Sequence, residues 1–299
     1  MNASPFMRLF SMAVILVAAY CSVSAALEAA SISDAIKAAV DKVNPALVRI
    51  QVVEAYYREG REMKYEISGS GVVITPEGHV ITNHHVAGHA KQLKCVFADK
   101  SEYTAELVGT DPLTDIAVIL LNTDDGRQFP TVEWGDSSAV QKADHVLAMG
   151  SPLALSQSVT LGIISNTEMI MPEWMSQYGG LTMDGEDVGA LVRWIAHDAQ
   201  IFGGNSGGPL VNLNGEIIGI NEISLGLSGA IPSNLARAIA TELMDRGAVR
   251  RAWVGLEVQP RLKSSSETTG ALISGTIADS PASKVDIKSG DMLLSVAGT

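Results

Sequence analysis

The spacing of apolar residues changes along the chain, and each change predicts a different element. From Leu9 to Tyr20 the run is nearly unbroken, with Arg8 the only charge before it. That run, followed by the small residues Val23-Ser24-Ala25, predicts an export signal over residues 1–25. Two other readings compete: a buried N-terminal helix, and an uncleaved anchor, because Leu9 to Ala26 is 18 positions, the short edge of a membrane span. Apolar residues then recur at Ile32, Ile36, Val40 and Val43, one face of a helix that Asn44-Pro45 should end. Beyond it the period shortens. Leu47–Val53, Gly71–Ile74, His79–Thr82, Leu93–Ala98, Thr104–Gly109 and Ile116–Leu121 read as strands, parted by turns such as Pro76-Glu77-Gly78. His145–Met149, Val159–Ser165, Leu210–Leu213 and Ile217–Asn221 continue the series. Many short strands without intervening helices predict an all-β barrel or sandwich architecture. Glu168 to Gly189 breaks the rhythm as a long loop. Leu235, Ile239 and Leu243 then line one face of a helix over Asn234–Arg246, with Gly247 just past its end. A second β-rich unit starts at Ala252.

The length of 299 residues fits two domains, and 46% hydrophobic with 18% charged residues fits a folded protein. A net charge of -12 with no cluster of Lys and Arg excludes the electrostatic footprint of a nucleic-acid binder. The only cysteines are Cys21, within the export signal, and Cys95, within an apolar run. Loss of the signal leaves one thiol, so no internal disulfide is expected, and Cys95 reads as a small core residue.

The chemistry concentrates in Gly203-Gly204-Asn205-Ser206-Gly207-Gly208-Pro209-Leu210. Serine becomes a nucleophile only when its hydroxyl sits beside a base and nearby amides face a developing oxyanion. Flanking glycines permit the tight turn and close approach that this needs. Thr82-Asn83-His84-His85-Val86 follows a predicted strand and supplies a base. Asp115, in Thr114-Asp115-Ile116-Ala117-Val118, supplies a carboxylate to orient it. Read alone, Asp115 fits a solvated turn and the Gly-rich segment an ordinary loop; together, in the order His, Asp, Ser, they match a known triad order. His85 and His89 are four apart, as on one face of a helical turn, but no acidic or Cys partner completes a ligand set. Neither a metal nor a cofactor is expected.

Those stretches, with Ser68-Gly69-Ser70-Gly71-Val72-Val73-Ile74 and Ala230-Ile231-Pro232-Ser233-Asn234, resemble the HtrA/Deg serine proteases from about Ile32 to Thr299. The resemblance implies a chymotrypsin/trypsin-like double β-barrel over residues 31–247. It makes Ser206 the nucleophile, His85 the base and Asp115 its orienter, and it puts Gly204, Asn205 and Ser206 in the oxyanion hole. His84 stands where the family usually has Asn. His85 is assigned because the family's catalytic His directly precedes Val. Gln200, Phe202, Ile223 and Ser224 are the expected substrate pocket, whose neutral Gln200 argues against selection of Lys or Arg. Small aliphatic residues are the preference the family implies.

Residues 252–299 resemble a PDZ domain, with Trp253-Val254-Gly255-Leu256 as its carboxylate-capturing loop, and the chain stops before the helix that completes the peptide groove. By the same resemblance the expected protein is a homotrimeric envelope or periplasmic endopeptidase that degrades misfolded or exposed polypeptide, with a C-terminal peptide as the PDZ ligand. The competing class is a binding protein, a holdase or scaffold that kept the fold and lost turnover.

Overall fold

The computed structural model describes residues 32–58, 60–151, 157–170, 182–183, 185–224, 226–259 and 270–296. The export signal expected over residues 1–25 lies outside the described residues. Among those described, no helix is long and apolar enough to cross a membrane. Contacts divide the chain into two units, Met1–Val249 and Arg250–Thr299.

In the first unit, helix α1 spans residues 32–43 and passes into a 3-10 turn, Asn44–Ala46, whose Pro45 needs no amide partner there. Strands β1 (Leu47–Arg58), β2 (Arg61–Val73), β3 (His79–Thr82), β4 (Gln92–Val96), β5 (Glu102–Asp111) and β6 (Ile116–Leu121) close into a barrel in the order β1-β2-β3-β6-β5-β4. Alternation sets the inner face: Val48, Ile50 and Val52 on β1 are buried while Arg49 and Gln51 between them are partly exposed. Cys95 on β4 is fully buried and unpaired, and burial pushes its thiol up to about 12, so it packs without reacting.

The second barrel is built from β7 (His145–Gly150), β8 (Ser158–Met169), β11 (Trp194–His197), β12 (Pro209–Asn212), β13 (Ile217–Ser224) and β14 (Ser228–Pro232). They close in the order β11-β14-β13-β12-β7-β8. Two short strands, β9 (Thr182–Met183) and β10 (Glu186–Asp187), pair separately within the predicted loop of residues 168–189, of which 171–181 and 184 lie outside the described residues. Helix α3 (Ser233–Arg246) buries Ala236, Ile239, Ala240 and Leu243 and packs on β5, β6 and β13. Its last turn closes with Gly247 N donating to Leu243 O at 2.8 Å, and Gly247 takes φ 73°, which glycine adopts freely.

The second unit holds an antiparallel sheet of β15 (Leu256–Gln259), β16 (Ala271–Thr276) and β17 (Met292–Leu293), in that order. Gly255 takes φ 73°, and a Cβ there would stand 2.1 Å from the Cβ of Ser280, so the loop requires glycine. Trp253 and Val254 beside it are exposed.

Two sequence expectations change in detail. The barrel hairpin β1–β2 runs further than the predicted strands, pairing Leu47 with Val72 at one end and Arg58 with Arg61 at the other. Arg61 to Glu66 are exposed and follow no alternation, so nothing in their pattern marks them as strand. His84 and His85, expected at a strand end, lie instead in a one-turn helix, α2 (His84–Ala87), with Asn83 at its N-cap position.

Candidate active site

A loop and a turn of helix are brought together where the two barrels of the first unit meet. Pro112–Thr114 forms a 3-10 turn whose C-cap, Asp115, takes the left-handed φ of 52°. That conformation is uncommon outside glycine, though Asp and Asn adopt it more readily than others. It directs the fully buried Asp115 carboxylate at α2. Asp115 Oδ2 and His85 Nδ1 are 2.7 Å apart, and Asp115 Oδ1 accepts from His85 N at 3.0 Å. Asn83 Nδ2 and His84 N donate to Asp115 O, at 3.0 and 3.1 Å, so the backbone of the turn is held as firmly as its side chain. A proton on Nδ1 bound to the carboxylate leaves Nε2 of His85 as the basic nitrogen.

The Gly-rich segment is held against the same place. Ser70 N donates to Ser206 O at 2.8 Å, and Ser70 Oγ donates to Gly204 O at 2.6 Å while accepting from Ser151 N at 2.8 Å. One serine thus joins both barrels beneath the loop. Gly207, at φ 82°, fits so tightly that a Cβ would stand 2.2 Å from both Ser70 O and Thr82 Oγ1 and 3.1 Å from Asn83 N. Ser206 therefore lies within a residue of the turn leading into His85. Its hydroxyl is directed at Glu222 O, 3.4 Å away, rather than at the imidazole. Asn205 N donates to Phe202 O at 2.9 Å, which removes it from the expected set of oxyanion donors. Among the described residues, the amides of Gly204 and Ser206 meet no acceptor.

Glu222 was not singled out by the sequence. It is buried on β13, its backbone takes the Ser206 hydroxyl, and its carboxyl accepts from Trp194 Nε1. Burial, and next the neighbouring Asp115 charge, push this carboxyl well above the usual glutamate range. The shift favours the neutral acid over a second anion beside Asp115. The isolated position of Glu222 in a strand-forming run gave no signal of this; only pairing of β13 with β14 and β12 brings it behind Asp115.

The expected substrate-pocket residues divide. Gln200, Phe202 and Ser224 are exposed, Ile223 is buried, and Gln200 O accepts from Thr160 Oγ1 at 2.7 Å. The aromatic cavity of about 630 Å³ lined by Phe97, Tyr103, Arg127 and Phe129 shares no residue with them. In the second unit, Ala282 N donates to Val254 O and Ile277 N to Gly255 O, each at 2.9 Å, which fixes the Trp253–Leu256 loop.

Beside α2 the histidines pair differently from their spacing in sequence. His84, not His85, shares a partner with His89. Glu186 Oε2 lies 2.9 Å from His84 Nε2 and 3.1 Å from His89 Nε2. The acidic group missing near the HHVAGH stretch comes from β10, far along the chain. Slight burial of Glu186 opposes its charge, but the contacts of His89 and His84 outweigh it and hold the carboxyl below the ordinary glutamate value.

Comparison with known proteins agrees with this architecture. Residues 69–220 match the trypsin-like peptidase domain family. A "probable periplasmic serine endoprotease DegP-like" of Pseudomonas putida (strain W619) is 37% identical over 81% of this chain and 49% of its own length. Another so named, from Marinomonas sp. (strain MWYL1), is 39% identical over 77% of this chain and 48% of its own. The chain thus spans about half the length of the curated relatives it matches. A solved structure titled "HtrA-type protease AlgW with tripeptide" superposes with a TM-score of 0.67 at 31% identity, over 88% of this chain and 83% of that one. On its double barrel, its matched domain and these relatives, the chain belongs to the trypsin-like peptidases, in the HtrA/Deg family.

Proposed function

We propose that the chain is a serine endopeptidase that cleaves unfolded or exposed polypeptide through an acyl-enzyme. The observation that carries this is the His85–Asp115 pair beside a Gly-rich loop, pinned by Ser70, that holds Ser206 and two free-facing amides. In the reaction the Ser206 hydroxyl turns from Glu222 O toward His85 Nε2. Attack then forms an Oγ–carbon bond and passes the hydroxyl proton to Nε2. The Gly204 and Ser206 amides receive the oxyanion. Collapse breaks the carbon–nitrogen bond, and His85 returns the proton to the departing amine; water repeats the sequence to release the acid. Asp115 keeps the imidazole in the productive tautomer and stabilises its charged form. No cofactor enters any step.

The rest of the reading has the support of resemblance. Gln200 leaves the pocket neutral, which suits small aliphatic side chains. The relatives' names support a periplasmic protein, with residues 1–25 as its export signal. The glycine-dependent Trp253–Leu256 loop supports a PDZ-type unit from residue 252 that captures a C-terminal peptide, and the family supports a homotrimer.

The test is digestion of unfolded casein by the wild type and by Ser206→Ala, with fluorophosphonate labelling alongside. Loss of at least about 10⁴-fold in turnover and of all labelling in the variant is expected. Equal activity in both proteins, or binding of casein with no cleavage by either, would exclude the hydrolase and leave a holdase on the same fold.

A further inference from the structure

We propose that His84, His89 and Glu186 form a binding site for a divalent transition metal of the zinc class. The ligand atoms His84 Nε2, His89 Nε2 and Glu186 Oε2 all lie within 4.8 Å of one another. The two rings meet edge to face, with centroids 5.2 Å apart, so their nitrogens converge on one carboxylate oxygen. In a tetrahedral site with bonds of about 2.0–2.1 Å, ligand atoms stand about 3.3 Å apart. The observed 2.9 and 3.1 Å need open by only a few tenths of an ångström to admit the ion.

The groups behind the ligands are also those a metal site uses. Thr110 Oγ1 donates to Ile116 O at 3.3 Å, so its lone pair accepts the His84 Nδ1 proton, 2.8 Å away. With Nδ1 donating there, Nε2 is the nitrogen turned toward Glu186, the arrangement in which a histidine offers Nε2 to a metal ion. Gly88 makes the geometry possible. A Cβ there would lie 2.4 Å from His84 Nδ1, so only glycine lets the chain fold back and bring His89 over the buried His84 ring. His84 forms the floor, while the Glu186 and His89 side chains are 41% and 48% exposed, leaving the outer side open to water as a fourth ligand.

Two imidazoles with one carboxylate favour Zn²⁺ over Mg²⁺ or Ca²⁺, which take oxygen ligands. Its effect follows from what it joins. Glu186 belongs to β10, and the residues just beyond, Gly189 and Leu191, donate to Pro112 O and Leu113 O at 2.9 Å each. Those carbonyls belong to the turn that positions Asp115. The ion clips the β9–β10 hairpin to α2, the element that carries His85.

The site does not depend on the proposed hydrolysis and is read directly by binding. Chelator-treated full chain is titrated with Zn²⁺ by calorimetry, with Co²⁺ as a spectroscopic probe. The expected result is one equivalent per chain, the visible bands of four-coordinate Co²⁺, and a Zn²⁺-dependent rise in melting temperature. Glu186→Gln and His89→Ala, both at exposed positions, should weaken binding at least tenfold, while His85→Ala and Ser206→Ala retain it. Absence of stoichiometric binding by the wild type would overturn the proposal. So would binding that survives Glu186→Gln but disappears in His85→Ala, since that would place the ion on the His85–Asp115 pair.

Discussion

Glu222 has its carboxyl in a place that water does not reach, within the field of Asp115, and accepts from Trp194 Nε1. An ionised group there would cost several kcal/mol, so the folded chain keeps its proton where the unfolded chain releases it near 4.5. The sign follows: with the folded value raised, this group's contribution to stability is full below about pH 4.5 and falls as pH rises from there. Glutamine has the same shape, keeps an acceptor for Trp194 and offers an N–H toward Asp115, without a proton to lose. Glu222→Gln should therefore be more stable than the wild type at pH 7 and nearly equal to it at pH 4, as read from urea midpoints, with kcat/KM within a few-fold. A constant gap at both pH values would show that Glu222 is ionised in the folded protein. The adjacent histidines teach a related lesson. His85 rather than His84 meets Asp115, as its place before Val86 implied, and the two rings part because α2 separates their directions by about 100° per residue.

At the level of elements, α3 shows how a pattern read from sequence becomes energy. Leu235, Ile239 and Leu243 mark its apolar face, and the structure buries Leu243 completely against β5 and β6. Gly109 on β5 lets the helix end close in, since a Cβ there would stand 2.5 Å from Gly247 O. Leu243→Ala should cost about 2–5 kcal/mol in urea unfolding, because neighbours held by the barrel cannot collapse into the gap. A loss below about 1 kcal/mol would mean that the helix is a loosely attached cover. The strands of the first barrel, and β7, β8, β12 and β13 of the second, were legible as short apolar runs between turns; β11 and β14 were not read from the sequence. The outer reach of the β1–β2 hairpin and the pair β9–β10 were not legible, because Arg61–Glu66, Thr182 and Asp187 are exposed and carry no apolar alternation.

For the molecule as a whole, stability against pH is set by buried groups acting in opposite directions. His197, fully buried on β11, has its pKa lowered to about 4 because burial strips the ring of water. The unfolded chain takes up that proton near 6.5, so the contribution is complete above about pH 6.5 and is lost as pH falls toward 4. The full difference is on the order of 3 kcal/mol. In Glu222→Gln, where the opposing loss is absent, stability should fall between pH 6.5 and 4, and adding His197→Gln should flatten that slope. An equal slope in both proteins would assign the acid sensitivity elsewhere. In the wild type the two slopes oppose each other between about pH 4.5 and 6.5, which leaves a broad optimum there.

The amino-acid order alone determined most of the barrel strands, the closing helix and the three residues expected to do chemistry, since period, glycine placement and motif are local properties. It could not determine which distant groups meet. Glu222 behind Asp115 and Glu186 between His84 and His89 both depend on chain segments far apart in sequence. Barrel closure fixes the register of those segments, and register alone decides which side chains share a space.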